Sequence, residues 1–154
     1  MVLVVPVLSI RHFGGLRLSH GTRAEPLERD FPRSLFSFLS YRSGQIISRQ
    51  EIADNLWPDL TRARARKAMN TAFWRLRRVE SLSRFVHCPS RSTVTLALMP
   101  NCWVDTIAFE RKVVTALKVK LSEPARARRL LEQAVGLYQS TAFSDVEDEW
   151  NSVR

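Results

Sequence analysis

The chain has 154 residues, enough for one domain or for one small domain and part of a second. Hydrophobic residues make up 45% and charged residues 25%, which excludes a disordered tail because such a chain can build a core. The net charge is +9, and the excess lies entirely in residues 1–100, which hold 16 Lys and Arg against 7 Asp and Glu, whereas residues 101–154 hold 8 of each. A basic region ahead of a neutral one indicates that the first region binds a polyanion, although a charge that only maintains solubility stays open.

The cysteines and the N-terminal residues favour a cytoplasmic protein. Cys88 and Cys102 are too few for a secreted fold held by disulfides, and His87 beside Cys88 does not complete a zinc-ligand spacing. We therefore expect no metal and no cofactor. Residues 1–8 are apolar but lack a basic region and a cleavage site, and they fall short of the ~20 residues that span a bilayer. They predict a strand, and we expect no contact with a membrane.

The first thirty residues predict a small antiparallel sheet. Residues 7–19 read as two short strands around a turn at Gly14-Gly15, and a third short strand is expected near Leu27. The apolar side of the first two strands comes from four residues: Ile10, Phe13, Leu16 and Leu18.

Three helices follow. The first is predicted to start at Asp30, as the N-cap, with Pro32 in its first turn, and to stop at Gly44. The second starts at the capping box Ser48-Arg49-Gln50-Glu51, in which the Ser hydroxyl and the Glu carboxylate accept from backbone N–H groups, and it ends at Pro58. The third is the longest, from about Arg62 to Leu82.

A hairpin is predicted after the third helix, near the end of the first predicted domain. Its strands are Phe85–His87 and Thr93–Leu98, with Arg91 near the tip, and Val94, Leu96 and Leu98 share one face. A final short strand is predicted at Trp103-Val104. The break in pattern and the change in charge at residues 100–105 predict two domains, residues 1–102 and residues 103–154.

The second predicted domain is helical. One helix is expected to be capped by Asp105 and to run to about Lys118, with Phe109, Val113 and Leu117 inward. The next opens at Ser122 with Pro124 in its first turn, and a third, starting at Ser144 or Asp145, carries Trp150. The residues predicted to lie inward on the middle helix are Leu130, Leu131, Ala134, Leu137 and Tyr138.

The helix from Arg62 carries the strongest functional pattern. A helical wheel with about 100° per residue gathers an apolar stripe: Ala65, Met69, Ala72, Phe73 and Leu76. From Arg62 to Arg78 there are seven basic residues and no acidic one. Like charges on one face repel each other unless a polyanion neutralises them, although docking on an acidic protein or on RNA stays open.

These residue types suit the major groove of DNA, since Arg pairs with guanine or phosphate, Lys with phosphate, and Asn or Thr with base edges. A capped helix, a short turn, a basic helix and a hairpin in this order predict a winged helix, whose hairpin touches the flanking backbone or the minor groove. Trp74 either rests on sugar–phosphate or packs under the hairpin, and the second position is at least as well supported. The candidate DNA contacts are Arg62, Arg64, Lys67, Asn70, Thr71, Arg75, Arg78 and Arg91.

Residues 48–59 (SRQEIADNLWPD) and 65–78 (ARKAMNTAFWRLRR) resemble the DNA-binding domain of SARP-type transcriptional activators. The resemblance implies an α+β fold: the winged helix of response-regulator output domains with a small N-terminal sheet. Residues 104–109 and 130–138 resemble the start of the bacterial transcriptional activation domain that follows in this family. That domain is an all-helical, tetratricopeptide-like array, and it is much longer in the family than here.

The resemblance implies a transcription activator that binds direct repeats upstream of promoters and contacts RNA polymerase, and self-association on DNA is a further expectation. It assigns Arg64, Lys67, Thr71, Arg75 and Arg78 to the recognition helix and Arg91 to the wing. Trp74 departs from the family, because a small or polar residue is expected there.

Two other functions compete with DNA binding. An interaction module would dock the basic helix on a protein partner. An enzyme is the weakest reading, because His12, His20 and His87 have no nucleophile or carboxylate pattern around them and no Gly-rich phosphate loop is present.

Overall fold

The computed structural model describes residues 8–138, which form an α+β chain with small sheets and six helices in that range. The contacts divide these residues into two compact units. We call residues 27–100 the three-stranded unit, and residues 8–26 together with 101–138 the four-stranded unit.

The four-stranded unit pairs the start of the chain with a later strand. Its sheet has the order β3 (Arg23–Glu25), β2 (Arg17–His20), β1 (Leu8–Arg11), β7 (Cys102–Val104), and it is antiparallel except for the parallel pair of β1 and β7. The positive φ angles of Gly14 (77°) and Gly15 (106°) explain why glycine fits the turn between β1 and β2. The helices of this unit are α5 (Asp105–Val119) and α6 (Pro124–Leu137).

The third strand lies earlier than the predicted position near Leu27. A tight turn at Gly21 brings Arg23 opposite His20, so the strand begins directly after the turn. Pro26 follows its last residue, and a proline has no N–H to donate to the ladder.

The predicted domains, residues 1–102 and 103–154, place the N-terminal strands with the helices that follow them. In the structure these strands belong instead to the unit that contains α5 and α6. The reason is the parallel pairing of Leu8 with Cys102 and of Ile10 with Val104, which joins residues far apart in the chain.

Asp105 has a different role from the predicted helix cap. The helix α5 begins at Asp105 itself, with Val104 at the N-cap position and no side-chain cap. The buried carboxylate accepts hydrogen bonds from the backbone N–H of His12 (2.9 and 3.0 Å), Phe13 (3.0 Å) and Thr106 (2.8 Å). It therefore fastens the start of α5 to the end of β1.

The helices α5 and α6 pack through small residues, and one of them, Ala134, is among the residues predicted to point inward. Ala116, Ala127 and Ala134 are buried, which lets the helix axes approach closely. Leu117 is 56% exposed and Leu131 is 41% exposed, so the prediction that both point inward is wrong. Tyr138, also predicted to point inward, is exposed, although its ring packs edge-on against Phe13.

Pro124 lies in the first turn of α6, as predicted, but the N-cap position is Glu123 rather than Ser122. The Ser122 hydroxyl donates back to the carbonyl of Val119 (3.4 Å), at the end of α5. The predicted helix from Ser144 or Asp145 lies outside the described residues.

The three-stranded unit contains the predicted helices and the hairpin. Its sheet has the order β4 (Ile47–Ser48), β6 (Thr93–Leu96), β5 (Val86–Ser90), and both strand pairs are antiparallel. Val94, Leu96 and Leu98 are buried on one face, as the alternation predicts. The helices of this unit are α1 (Arg33–Tyr41), α2 (Arg49–Leu56), α3 (Arg62–Arg77) and α4 (Glu80–Ser83).

The predicted cap of α1 is wrong. The predicted capping box of α2 is confirmed for the Ser48 hydroxyl. Pro32, not Asp30, occupies the N-cap position of α1, and no side chain caps it. Ser48 Oγ accepts from the backbone N–H of Glu51 (3.0 Å). The Glu51 carboxylate forms an ion pair with Arg42, which joins the start of α2 to the end of α1.

The basic helix α3 ends at Arg77, so the prediction of one helix to Leu82 is wrong. Val79 has an extended backbone, and the short helix α4 follows it. In a continuous helix Leu82 would lie about 140° from Met69, away from the apolar stripe. The break turns the chain, and Leu82 is fully buried.

Candidate nucleic-acid interface

Four of the five residues of the predicted apolar stripe of α3 are buried, and the fifth, Ala72, is half-buried. Ala65, Met69, Phe73 and Leu76 are buried. The Thr61 side chain caps the helix by accepting from the backbone N–H of Arg64 (3.4 Å). Because the stripe faces the core, the opposite side of α3 faces solvent.

All eight candidate DNA contacts have exposed side chains: Arg62, Arg64, Lys67, Asn70, Thr71, Arg75, Arg78 and Arg91. Within residues 8–138, one ion pair involves any of them, between Arg75 Nε and Asp30 Oδ2 at 3.6 Å. Both of those side chains are about half exposed, so the pair is screened by water. The cationic face of α3 is therefore almost free of neutralising carboxylates in this part of the chain.

Trp74 lies on the cationic face. Its side chain is 59% exposed, and the Arg78 guanidinium carbon lies 4.7 Å from the centre of its ring. The prediction that Trp74 packs under the hairpin is wrong. On the wheel it lies about 140° from Met69, so the neighbouring Phe73 points into the core and Trp74 points out.

Three arginines outside the predicted set border the same surface. Arg77 Nη2 lies 2.9 Å from Cys88 Sγ on β5, and Arg49 Nη2 approaches the same sulfur at 3.9 Å. The Arg49 guanidinium also lies over the ring of Phe73, 5.1 Å from its centre. Arg66 completes this edge of α3. The wheel places Arg66 and Arg77 only about 60–80° from Met69, and it does not tell which edge of a helix meets the hairpin.

A cavity of about 790 Å³ lies between α2, the first turns of α3 and the β5–β6 turn. We call it the arginine groove, because Arg49, Arg62, Arg66 and Arg91 all line it. Its apolar lining is formed by Ala53, Trp57, Pro58, Leu60, Ala65 and Met69.

The β5–β6 turn is fixed to the helices beside the arginine groove. The backbone N–H of Arg49 donates to the carbonyl of Ser92 at 2.8 Å, so the start of α2 and the turn are directly bonded. At the other end of the hairpin, the backbone N–H of Gly44 donates to the carbonyl of Leu96 at 2.9 Å. The turn that carries Arg91 and the helix α3 therefore belong to one continuous surface.

No group of three or more His, Cys, Asp and Glu in the described range is arranged to hold a metal ion. Both cysteines are free thiols: Cys88 is exposed and Cys102 is buried. In the same range no helix is long and apolar enough to cross a membrane.

Comparison with known proteins supports the fold. No family model matches the chain. No curated protein sequence matches it either. A solved structure, Mycobacterium tuberculosis EmbR in complex with a low-affinity phosphopeptide, matches with a TM-score of 0.79 and 15% sequence identity. The match covers 96% of this chain and 40% of that one, so the chain spans less than half of that protein's structure. At this identity the likeness shows the fold, which agrees with the SARP-like arrangement predicted from residues 48–78.

Proposed function

We propose that this chain is a sequence-specific DNA-binding transcription regulator, an activator of the SARP type. In this proposal α3 enters the major groove, and the β5–β6 turn with Arg91 lies on the flanking backbone or in the minor groove. The observation that carries the proposal is the exposed face of α3. The helix has six Lys and Arg and no acidic residue, and one ion pair reaches it within the described range.

The dimensions of the helix support this assignment. An α-helix with its side chains is about 10–12 Å wide, and the major groove is about 12 Å wide. Arg64, Lys67 and Arg78 would meet guanine edges or phosphates, and Thr71 would reach a base edge. Arg75, which pairs with Asp30, would contribute less than its position on the wheel suggests.

The remaining parts of the proposal come from the family resemblance. They are binding to direct repeats in promoters, contact with RNA polymerase and self-association on DNA, whereas the cytoplasmic location comes from the cysteines and the N-terminal residues. The helices α5 and α6 would begin the tetratricopeptide-like activation domain. The role requires no catalytic step, cofactor, metal or membrane.

One observation favours docking on a protein instead. Trp74 is a large exposed aromatic ring in the middle of the cationic face, and exposed tryptophans often anchor protein interfaces. If docking on a protein is the function, substitution of Trp74 by Ala abolishes capture of an acidic protein partner, and the wild-type chain shows no salt-dependent affinity for duplex DNA.

Selection from a random pool of duplex DNA tests the proposal. We expect the full chain to enrich a short motif, and two copies of the motif in the same orientation if binding occurs on direct repeats. Enrichment without any shared motif would reduce the function to non-specific DNA binding. Absence of enrichment would contradict the proposal.

A further inference from the structure

We propose that the arginine groove seats the sugar–phosphate backbone of one DNA strand, held by Arg49, Arg66 and Arg91. This inference rests on the proposed function and extends it. It assigns a binding site to residues outside the exposed face of α3. It also separates contacts that position the duplex from contacts that recognise its bases.

The charges in the groove point to an anionic ligand. Within residues 8–138, no carboxylate pairs with Arg62, Arg66 or Arg91. Among the described residues, Asp54 is the one acidic residue that lines the groove, and Gln50 already donates to its carboxylate at 2.7 Å. Several guanidinium groups therefore face one cavity with little neutralisation, an arrangement that phosphate groups stabilise.

Arg49 carries a donor that still needs an acceptor. Its Nε atom is buried and has no hydrogen-bond partner among the described residues. Its Nη2 atom approaches only the weak acceptor Sγ of Cys88, at 3.9 Å. Because Nε is closed to solvent while the residue as a whole is only half-buried, a phosphate oxygen would reach Arg49 through its terminal nitrogens, for which the Cys88 sulfur is a weak competitor.

The size and lining of the groove favour a strand over a small anion. A volume of about 790 Å³ greatly exceeds what one phosphate ion fills. Trp57, Leu60 and Met69 give the groove apolar lining, which suits the carbon face of deoxyribose and not a bare ion. The position between α3 and the β5–β6 turn is also where a backbone must pass when the helix and the wing contact neighbouring grooves.

Backbone contacts carry no sequence information, and this gives the proposal a specific signature. Substitution of Arg66 by Ala should weaken binding to the selected duplex and to random duplex by the same factor, about tenfold at low salt. The slope of log Kd against log salt should fall by about 0.9 for each phosphate contact removed. Arg66→Lys should keep most of the salt slope, because it retains the charge.

Phosphate ethylation interference with the full chain is the direct test. The wild-type chain should be blocked by ethylation of phosphates at one edge of the site, and R66A and R91A should each lose part of that interference. Arg129→Ala removes the same charge from the exposed surface of α6 and should leave the pattern unchanged. Melting temperatures of all variants check folding, which is expected to persist because Arg66, Arg91 and Arg129 are exposed.

Two results would overturn the inference in different ways. If the wild-type chain binds duplex DNA but R66A and R91A keep its ethylation pattern and salt slope, the groove is not the backbone site and the proposed function stands. If the wild-type chain binds no duplex, both proposals fail. A loss of affinity that affects the selected duplex but spares random duplex would assign Arg66 to base recognition instead.

Discussion

The helices α3 and α6 are both rich in arginine, but they differ in how far acidic side chains neutralise the positive charge. Over 16 residues α3 has six Lys and Arg and no acidic residue. Over 14 residues α6 has three Arg and one Glu. Two of its arginines are paired, Arg126 with Glu123 at 3.1 Å and Arg128 with Glu132 at 3.0 Å. Such pairs are typical of a helix face that is exposed to water.

Net charge alone does not distinguish the two units. The three-stranded unit has 13 Lys and Arg against 6 Asp and Glu, a net charge of +7, and residues 8–26 with 101–138 have 10 against 5, a net charge of +5. These totals are similar. What distinguishes α3 is that its charges have one sign, share a face and continue onto α2 and the hairpin turn.

Equal charge removal from the two helices should therefore have unequal effects. We expect the triple substitution of Arg64, Lys67 and Arg78 by Ala to weaken binding to the selected duplex by about a hundredfold or more at low salt. The matched triple on α6, at Arg126, Arg128 and Arg129, should change Kd by less than about threefold. Fluorescence anisotropy titrations of both full-length variants measure this. Equal losses would show that binding follows total charge and not α3.

Chemical labelling of the two cysteines tests the proposed interface without changing the charge of the chain. Its expected effect is smaller than that of the triple substitution. Cys88 is exposed between Arg49 and Arg77, beside the arginine groove, whereas Cys102 is 3% exposed. In the native chain N-ethylmaleimide should label Cys88 alone, and saturating duplex should slow that labelling by about tenfold as it covers the thiol. Mass spectrometry identifies the labelled residue. Unchanged labelling of Cys88 in the presence of bound DNA would place the interface elsewhere.

The smallest predicted effect concerns the one ion pair that reaches α3 within residues 8–138. Asp30→Asn should release Arg75 and tighten binding about two- to threefold at low salt, and this gain should disappear at high salt, as expected for an exposed pair. Glu110→Gln removes the same negative charge from α5 and serves as the control. A gain of equal size in both variants would reflect only the change in net charge.

The sequence predicts those features of the interface that depend on local periodicity. The stripe of Met69, Phe73 and Leu76 follows from the helical repeat, and the buried side of the hairpin follows from alternation. The hydroxyl cap at Ser48 follows from the residues next to it. In each case the partners are close in sequence or the pattern repeats along one element.

The features that the sequence does not predict depend on contacts between distant elements. The edge of α3 that meets the hairpin is set by packing, so Arg49, Arg66 and Arg77 are recognised only in the fold. Asp30 looks like a helix cap but pairs with Arg75, which is distant in the chain. The parallel pairing of β1 with β7 likewise has no local signal.

The salt dependence of duplex binding by the full chain tests the central claim most directly. If α3, the arginine groove and the β5–β6 turn together contact about five phosphates, log Kd should change with log salt with a slope of about 4 to 5 in magnitude. A slope near zero, which means that the Kd for the selected duplex stays unchanged as salt rises, would contradict the account.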